Sequence, residues 1–158
     1  MNLPTTGKLH SINVSDGGVP KLQRKSCAVR WHGLEGDRQQ DLEHHGGPER
    51  AVSLFSLEVI EALRAEGHPI SPGSTGENLT LAGLDWAGLT PGARLQIGEV
   101  ELQVASYAAP CNNINASFSD SRSVRVSQKV HPGWSRLYAR VLKEGSVNVG
   151  DSVRVYAA

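Results

Sequence analysis

This chain of 158 residues carries 16 basic and 16 acidic side chains, so its formal net charge at neutral pH is zero. A chain of this length can bury roughly 70% of its unfolded surface, and we expect one domain over residues 1–158. Aromatic residues make up only 5% of the sequence, and no basic stripe is interleaved with them. The composition therefore argues against a nucleic-acid partner.

The first twenty residues contain no apolar run of signal-peptide length, and no later run reaches the length of a membrane span. These observations predict a cytoplasmic protein without a membrane partner. The two cysteines, Cys27 and Cys111, lie far apart and form no CxxC pair. In a reducing compartment we expect both of them to be free thiols.

Alternating apolar residues predict short β-strands in the first half of the chain. In the segment KSCAVRW, Cys27, Val29 and Trp31 alternate, which predicts a strand with Cys27 facing a core as a structural residue. The segments AVSL at 51–54 and ENLTL at 77–81 show the same alternation. We expect each of them to form a strand.

One helix is predicted between those two segments. Ser56 can cap its first turn, and Gly67 followed by Pro69 can end it. Three apolar residues recur at helical spacing, namely Leu57, Ile60 and Leu63. This helix is expected to lie at the periphery of the fold.

The second half of the chain predicts further strands. Gly98-Glu99 separates two alternating runs, which is typical of a hairpin with a type II′ turn. Three more alternating runs follow at 137–141, 147–149 and 153–155. The serine-rich segment 112–134 shows no clear period, so its structure stays open. Many short strands with glycine-rich turns favour a mainly β fold, a closed or partly closed barrel, over an α/β sheet.

Three loops contain residue types that are unusual for simple connections, at 33–38, 44–52 and 72–80. Their glycines permit positive φ angles and can expose backbone N–H groups to an anion. Each loop can equally be a tight turn between two strands. None of them matches a Walker P-loop or a dinucleotide fingerprint, so the sequence gives little support to nucleotide binding.

The segment YAAPCNNI places Cys111 directly after a proline, at the end of a strand-like run. Proline lacks a backbone donor, and the two asparagines that follow offer polar groups instead of packing. Cys111 is therefore either a small buried residue or an accessible thiol that reacts or binds metal. A zinc site with His44 or His45 has little support, because the close ligand pairs of structural zinc sites are missing. A Cys-His nucleophile pair stays open.

Seven segments in this order resemble the MOSC domain, the module named after the C-terminal part of molybdenum cofactor sulfurase. They are GGVPK at 17–21, GLEGDRQ at 33–39, HGGPERAV at 45–52, PGSTGENLTLAGLDW at 72–86, LTPGARLQIGEVELQV at 89–104, APCNNI at 109–114 and HPGWSRLYARVLKEGSVNVGD at 131–151. The resemblance covers nearly the whole chain and is that of a small stand-alone bacterial member.

The resemblance implies a barrel-like, mainly β fold with one peripheral helix, long loops and a pocket at one end. It makes Cys111 the functional thiol, in one of two roles. As a metal ligand, Cys111 would bind molybdenum in a reductase of N-hydroxylated small molecules that works with an electron-donor protein. As a sulfur carrier, it would receive a persulfide from a pyridoxal-phosphate cysteine desulfurase. This chain has no room for a desulfurase domain, so that enzyme would be a separate partner.

The resemblance also implies a binding site for the molybdenum cofactor (molybdopterin). The phosphate of the cofactor needs N–H groups and cations, which the glycine loops with Lys21, Arg38 and Arg50 can supply. His45, not His44, matches the histidine of the motif. The predicted cofactor-binding residues are Lys21, Arg38, His45, Arg50, Thr75, Glu77 and Asn78, with Cys111 as the catalytic residue and metal ligand.

Overall fold

The structure, a computed structural model, describes residues 5–15, 19–37 and 47–158. In these residues the strands are β1 (Thr5–Val14), β2 (Leu22–Arg24), β3 (Ser26–Arg30), β4 (Gly33–Leu34), β5 (Val52–Ser56), β6 (Leu79–Ala82), β7 (Arg94–Ile97), β8 (Val100–Ala108), β9 (Arg136–Lys143), β10 (Gly145–Asn148) and β11 (Ser152–Tyr156). The same residues contain helix α1 (Leu57–Ala65) and 3-10 helices at Pro48–Arg50, Trp86–Gly88, Asn112–Ser117 and Ser123–Val126.

Seven strands form a closed ring in the order β1, β6, β5, β9, β8, β7 and β11. Strand β11 pairs with β1 and thereby closes the barrel. Strands β5 and β6 run parallel, whereas the other neighbours in the ring are antiparallel. Strand β2 extends the sheet beyond β1, and β3, β4 and β10 form a separate small sheet. The predicted mainly β, barrel-like fold is confirmed.

The predicted hairpin connects β7 and β8. Gly98 has a φ angle of 55°, and Glu99 has no positive φ, as a turn with glycine at its first position requires. Leu95 and Leu102 are paired across the two strands and are both buried. Their side chains belong to the core that fills the barrel.

Helix α1 begins and ends where the sequence predicts. The Ser56 side chain accepts a hydrogen bond from the backbone N–H of Val59 at 3.2 Å, and Gly67 lies just past the helix with a φ angle of 98°. Ile60 and Leu63 are fully buried. Among the described residues, none of the helices has both the length and the apolar character needed to cross a membrane.

The small sheet contains Cys27. This residue is buried on β3, and its thiol donates a hydrogen bond to the carbonyl of Glu35 at 3.2 Å. Val29 is buried as the alternation predicts, whereas Trp31 lies beyond the end of β3 and is 56% exposed. The open segment 112–134 contains the last two of the 3-10 helices.

Candidate functional site

Cys111 lies three residues beyond the end of β8 and directly before the 3-10 helix Asn112–Ser117. Its thiol is free and the residue is half-buried, in contrast to the buried Cys27. The backbone N–H of Ile114 donates to the carbonyl of Cys111 at 3.3 Å, and the Ile114 side chain is buried in the core. The core therefore anchors the segment that presents the thiol.

Arg136, the first residue of β9, connects this segment to the 72–80 loop. It is 5% exposed. Its Nη2 donates to the carbonyl of Ala109 at 3.2 Å, and its Nη1 donates to the carbonyl of Thr75 at 2.7 Å. Its Nε is buried and has no hydrogen-bond partner. One guanidinium thus joins two of the segments that the sequence singled out.

The Arg136 guanidinium is charged although it is buried. Burial lowers the pKa of the Arg136 guanidinium, whereas negative charge on Tyr138, Glu77 or Cys111 acts to raise it. An arginine side chain starts from so high a pKa that it keeps its proton near neutral pH. Arg136 therefore places a positive charge against the carbonyl of Ala109, two residues before Cys111.

Glu77 is completely buried, and its carboxyl group holds the 72–80 loop together. Its Oε1 accepts a hydrogen bond from Thr75 Oγ1 at 2.9 Å. Its Oε2 accepts from the backbone N–H of Gly73 and from Thr80 Oγ1, each at 3.0 Å. Burial raises the pKa of Glu77, while these hydrogen bonds oppose the rise. The predicted site residues Thr75 and Glu77 are therefore in direct contact.

Lys21 and Asn78 meet at Asp37. The Lys21 Nζ lies 2.6 Å from Asp37 Oδ1, and the two side chains are 7% and 5% exposed. Asn78 Nδ2 donates to Asp37 Oδ2 at 2.9 Å, while the backbone N–H of Ser53 donates to Asn78 Oδ1 at 3.0 Å. The charge of Lys21 is thus already compensated inside the protein. Its role toward an external phosphate stays a prediction.

Arg50 ends the 3-10 helix that precedes β5. Its guanidinium lies over the ring of Tyr138, 5.6 Å from the centroid. Arg38, His44 and His45 lie outside the described residues, so their predicted roles stay predictions. The residues that the structure does describe lie in the Cys111 segment, the 72–80 loop, the Asp37 cluster and the Arg50–Tyr138 contact.

Sequence reasoning missed two residues of this arrangement, Arg136 and Asp37. Alternation along 137–141 predicts that Arg136 points away from the core, but the first four residues of β9 are all buried. Asp37 lies in the 33–38 loop that the sequence singled out, and no local pattern shows its pairing with a lysine 16 positions earlier. The signal that could have identified Asp37 is its position directly before Arg38, a predicted site residue.

The geometry defines a thiol-bearing β-barrel domain, and comparison with known proteins gives its family. The MOSC domain family model matches residues 41–154, and the chain belongs to this family. YflK from Bacillus subtilis is 32% identical over 140 residues, which are 87% of this chain and 62% of YflK. A protein named Reductase from Gibberella moniliformis is 31% identical over 115 residues, which are 69% of this chain and 20% of that protein. The chain thus spans less than two thirds of either relative.

A solved structure supports the same fold. The crystal structure of the YUAD protein from Bacillus subtilis superposes with a TM-score of 0.77 at 20% sequence identity, and the match covers 100% of both chains. At this identity the likeness concerns the fold alone. It supports the closed barrel as the fold of this chain.

Proposed function

We propose that this chain binds the molybdenum cofactor through Cys111 and reduces N-hydroxylated small molecules. MOSC domains are generally associated with this cofactor. One relative bears the name Reductase. The observation that carries the proposal is the free, half-buried Cys111 just past β8, because an accessible thiolate is a soft ligand for such a metal.

The described residues offer groups for a cofactor that carries both a metal and an anionic phosphate. The thiol offers a soft donor. The buried Arg136 Nε has no hydrogen-bond partner, and Arg50 offers a second guanidinium beside Tyr138. When bound, the cofactor would supply the two-electron redox chemistry. The chain would hold it, keep the Cys111 segment in place through Arg136 and Ile114, and receive electrons from a separate donor protein.

Metal content tests this proposal directly. Wild type, Cys111→Ser and the control Cys27→Ser are expressed in a host that makes the cofactor, and molybdenum per chain is measured by elemental analysis. Reduction of an amidoxime with a chemical electron donor is measured on the same samples. We expect Cys111→Ser to lose the metal and the reduction while keeping its melting temperature. Wild-type molybdenum content in Cys111→Ser would overturn the proposal.

The persulfide role makes a different prediction for the same variants. The chain is incubated with a cysteine desulfurase and cysteine, isolated, and treated with cyanide. If Cys111 is a metal ligand, we expect no more thiocyanate from wild type than from Cys111→Ser. Stoichiometric thiocyanate from wild type, combined with no bound molybdenum, would favour the sulfur carrier over the reductase.

A further inference from the structure

Arg136 is a buried cation that forms no ion pair with a carboxylate in the described part of the chain. Its two hydrogen bonds go to the neutral carbonyls of Thr75 and Ala109. The carboxyl oxygens of Glu77 accept hydrogen bonds from three other donors and none from Arg136. Among the described residues, the guanidinium therefore lacks a carboxylate in direct contact.

The guanidinium is bound to the segment that carries the thiol. Its Nη2 donates to the carbonyl of Ala109, two residues before the half-buried Cys111. The Nε of Arg136 is a buried N–H donor without a hydrogen-bond acceptor among the described residues, which is energetically unfavourable. The charge of Lys21, by contrast, is already compensated by the carboxylate of Asp37.

We propose that Arg136 selects negatively charged small molecules at Cys111, because its positive charge has no carboxylate ion pair in the described part of the chain. An anion reaching the sulfur is favoured over a neutral molecule of the same shape. The inference rests on the proposed function in one respect, because that function assigns the anionic group to the cofactor or the substrate. The charge selection itself is a property of the chain without any cofactor.

Two alkylating reagents of nearly equal size test the charge selection. Iodoacetate is an anion and iodoacetamide is neutral. With either one, the Cys111 sulfur forms a bond to the CH₂ carbon while the carbon–iodine bond breaks and iodide leaves. The rate constant of each reagent at Cys111 is measured by peptide mass spectrometry at one pH and ionic strength. The ratio of the two rate constants is the readout, because a purely structural change alters both rates together.

The variants are Arg136→Gln, Arg136→Lys and the control Arg140→Gln. Arg140 lies on the same strand, where its guanidinium contacts Gln103 and Glu49. Arg136→Gln is expected to lower the iodoacetate-to-iodoacetamide ratio roughly threefold to tenfold, as a screened charge at short range would. Arg136→Lys should restore most of the ratio, and Arg140→Gln should leave it unchanged. Cys27 serves as the internal control, because it stays unmodified as long as the chain is folded.

An unchanged ratio in folded Arg136→Gln would overturn the inference. If that variant does not fold, the test uses the iodoacetate-to-iodoacetamide ratio of wild type. Its native ratio should exceed the ratio measured for Cys111 in denaturant at least threefold, and the excess should shrink as salt is added. Equal rate-constant ratios in native and denatured wild type would contradict the inference. Both measurements use protein without cofactor, so a failure here is distinct from a failure of molybdenum binding.

Discussion

Lys21 and Arg136 are both more than nine tenths buried, yet they meet different partners. The Lys21 ammonium lies against the carboxylate of Asp37, whereas the Arg136 guanidinium meets two backbone carbonyls. A buried charge is costly unless it is paired or hydrogen-bonded, and a guanidinium tolerates burial better because it is weakly hydrated and has five N–H groups. The charge of Lys21 is therefore compensated inside the fold, whereas Arg136 has no ion pair among the described residues and can act on an incoming anion.

The largest expected effect comes from breaking the pair that Lys21 forms. Asp37→Ala leaves the ammonium buried without a counter-charge and also removes the acceptor for Asn78. The free energy of unfolding should fall by about 3–5 kcal/mol, measured by urea denaturation. A double-mutant cycle with Lys21→Met isolates the coupling between the two side chains. A loss below about 1 kcal/mol for Asp37→Ala would contradict a stabilising pair.

The next effect concerns Glu77, a buried carboxyl group in the loop that Arg136 contacts. Glu77→Leu removes the acceptor of three hydrogen bonds. The free energy of unfolding should fall by roughly 2–4 kcal/mol, because the Gly73 N–H and two hydroxyl groups lose their partner in the interior. Glu77→Gln keeps one oxygen acceptor and should cost less, which makes it the matched control in the same denaturation experiment.

The pH dependence of the same variant sharpens the contrast between the two cations. Burial raises the pKa of Glu77 above its ordinary value of 4.5, so the folded chain keeps a proton that the unfolded chain loses first. The stability from this proton is complete below about pH 4.5 and is lost as the pH rises through the folded pKa. The unfolding free energy of wild type minus that of Glu77→Gln should therefore decrease with rising pH. An increase would contradict a raised pKa and would mean that Glu77 ionises more readily in the folded chain than in the unfolded one.

The smallest effect is expected at Arg50, a half-buried cation that lies over an aromatic ring. Arg50→Ala removes the contact with Tyr138 and should lower the free energy of unfolding by about 0.5–1 kcal/mol. Binding of inorganic phosphate, followed by calorimetry, should weaken at the same time if Arg50 serves the cofactor. A variant that fails to fold would show that Arg50 is structural.

The sequence predicts the barrel and its helix well because their signals are local. The caps of α1, the glycine of the β7–β8 turn and the apolar alternation each act within a few residues. The resemblance to the MOSC domain adds the position of Cys111. Local patterns of this kind also identify the 72–80 loop, which Arg136 joins to the Cys111 segment.

The contacts inside the site depend on residues that are distant in the sequence. Arg136 reaches a carbonyl 61 positions earlier, and no periodicity announces such a contact. Lys21 was predicted from its charge alone, and charge does not reveal whether a partner such as Asp37 already compensates it. The sequence therefore indicates which charged residues could serve the site, while the fold shows which of them already have an ion-pair partner.

The closure of the ring by β11 has a consequence for synthesis of the chain. This strand pairs with β1 on one side and with β7 on the other, so Thr5 is opposite Val155. Until the ribosome has delivered residues 152–156, both neighbouring strands present unpaired edges, which are templates for aggregation. Contacts between such distant parts of a chain also form slowly. In the interval between the emergence of β7 and that of β11, the edges that β11 will cover are therefore open to pairing with another chain.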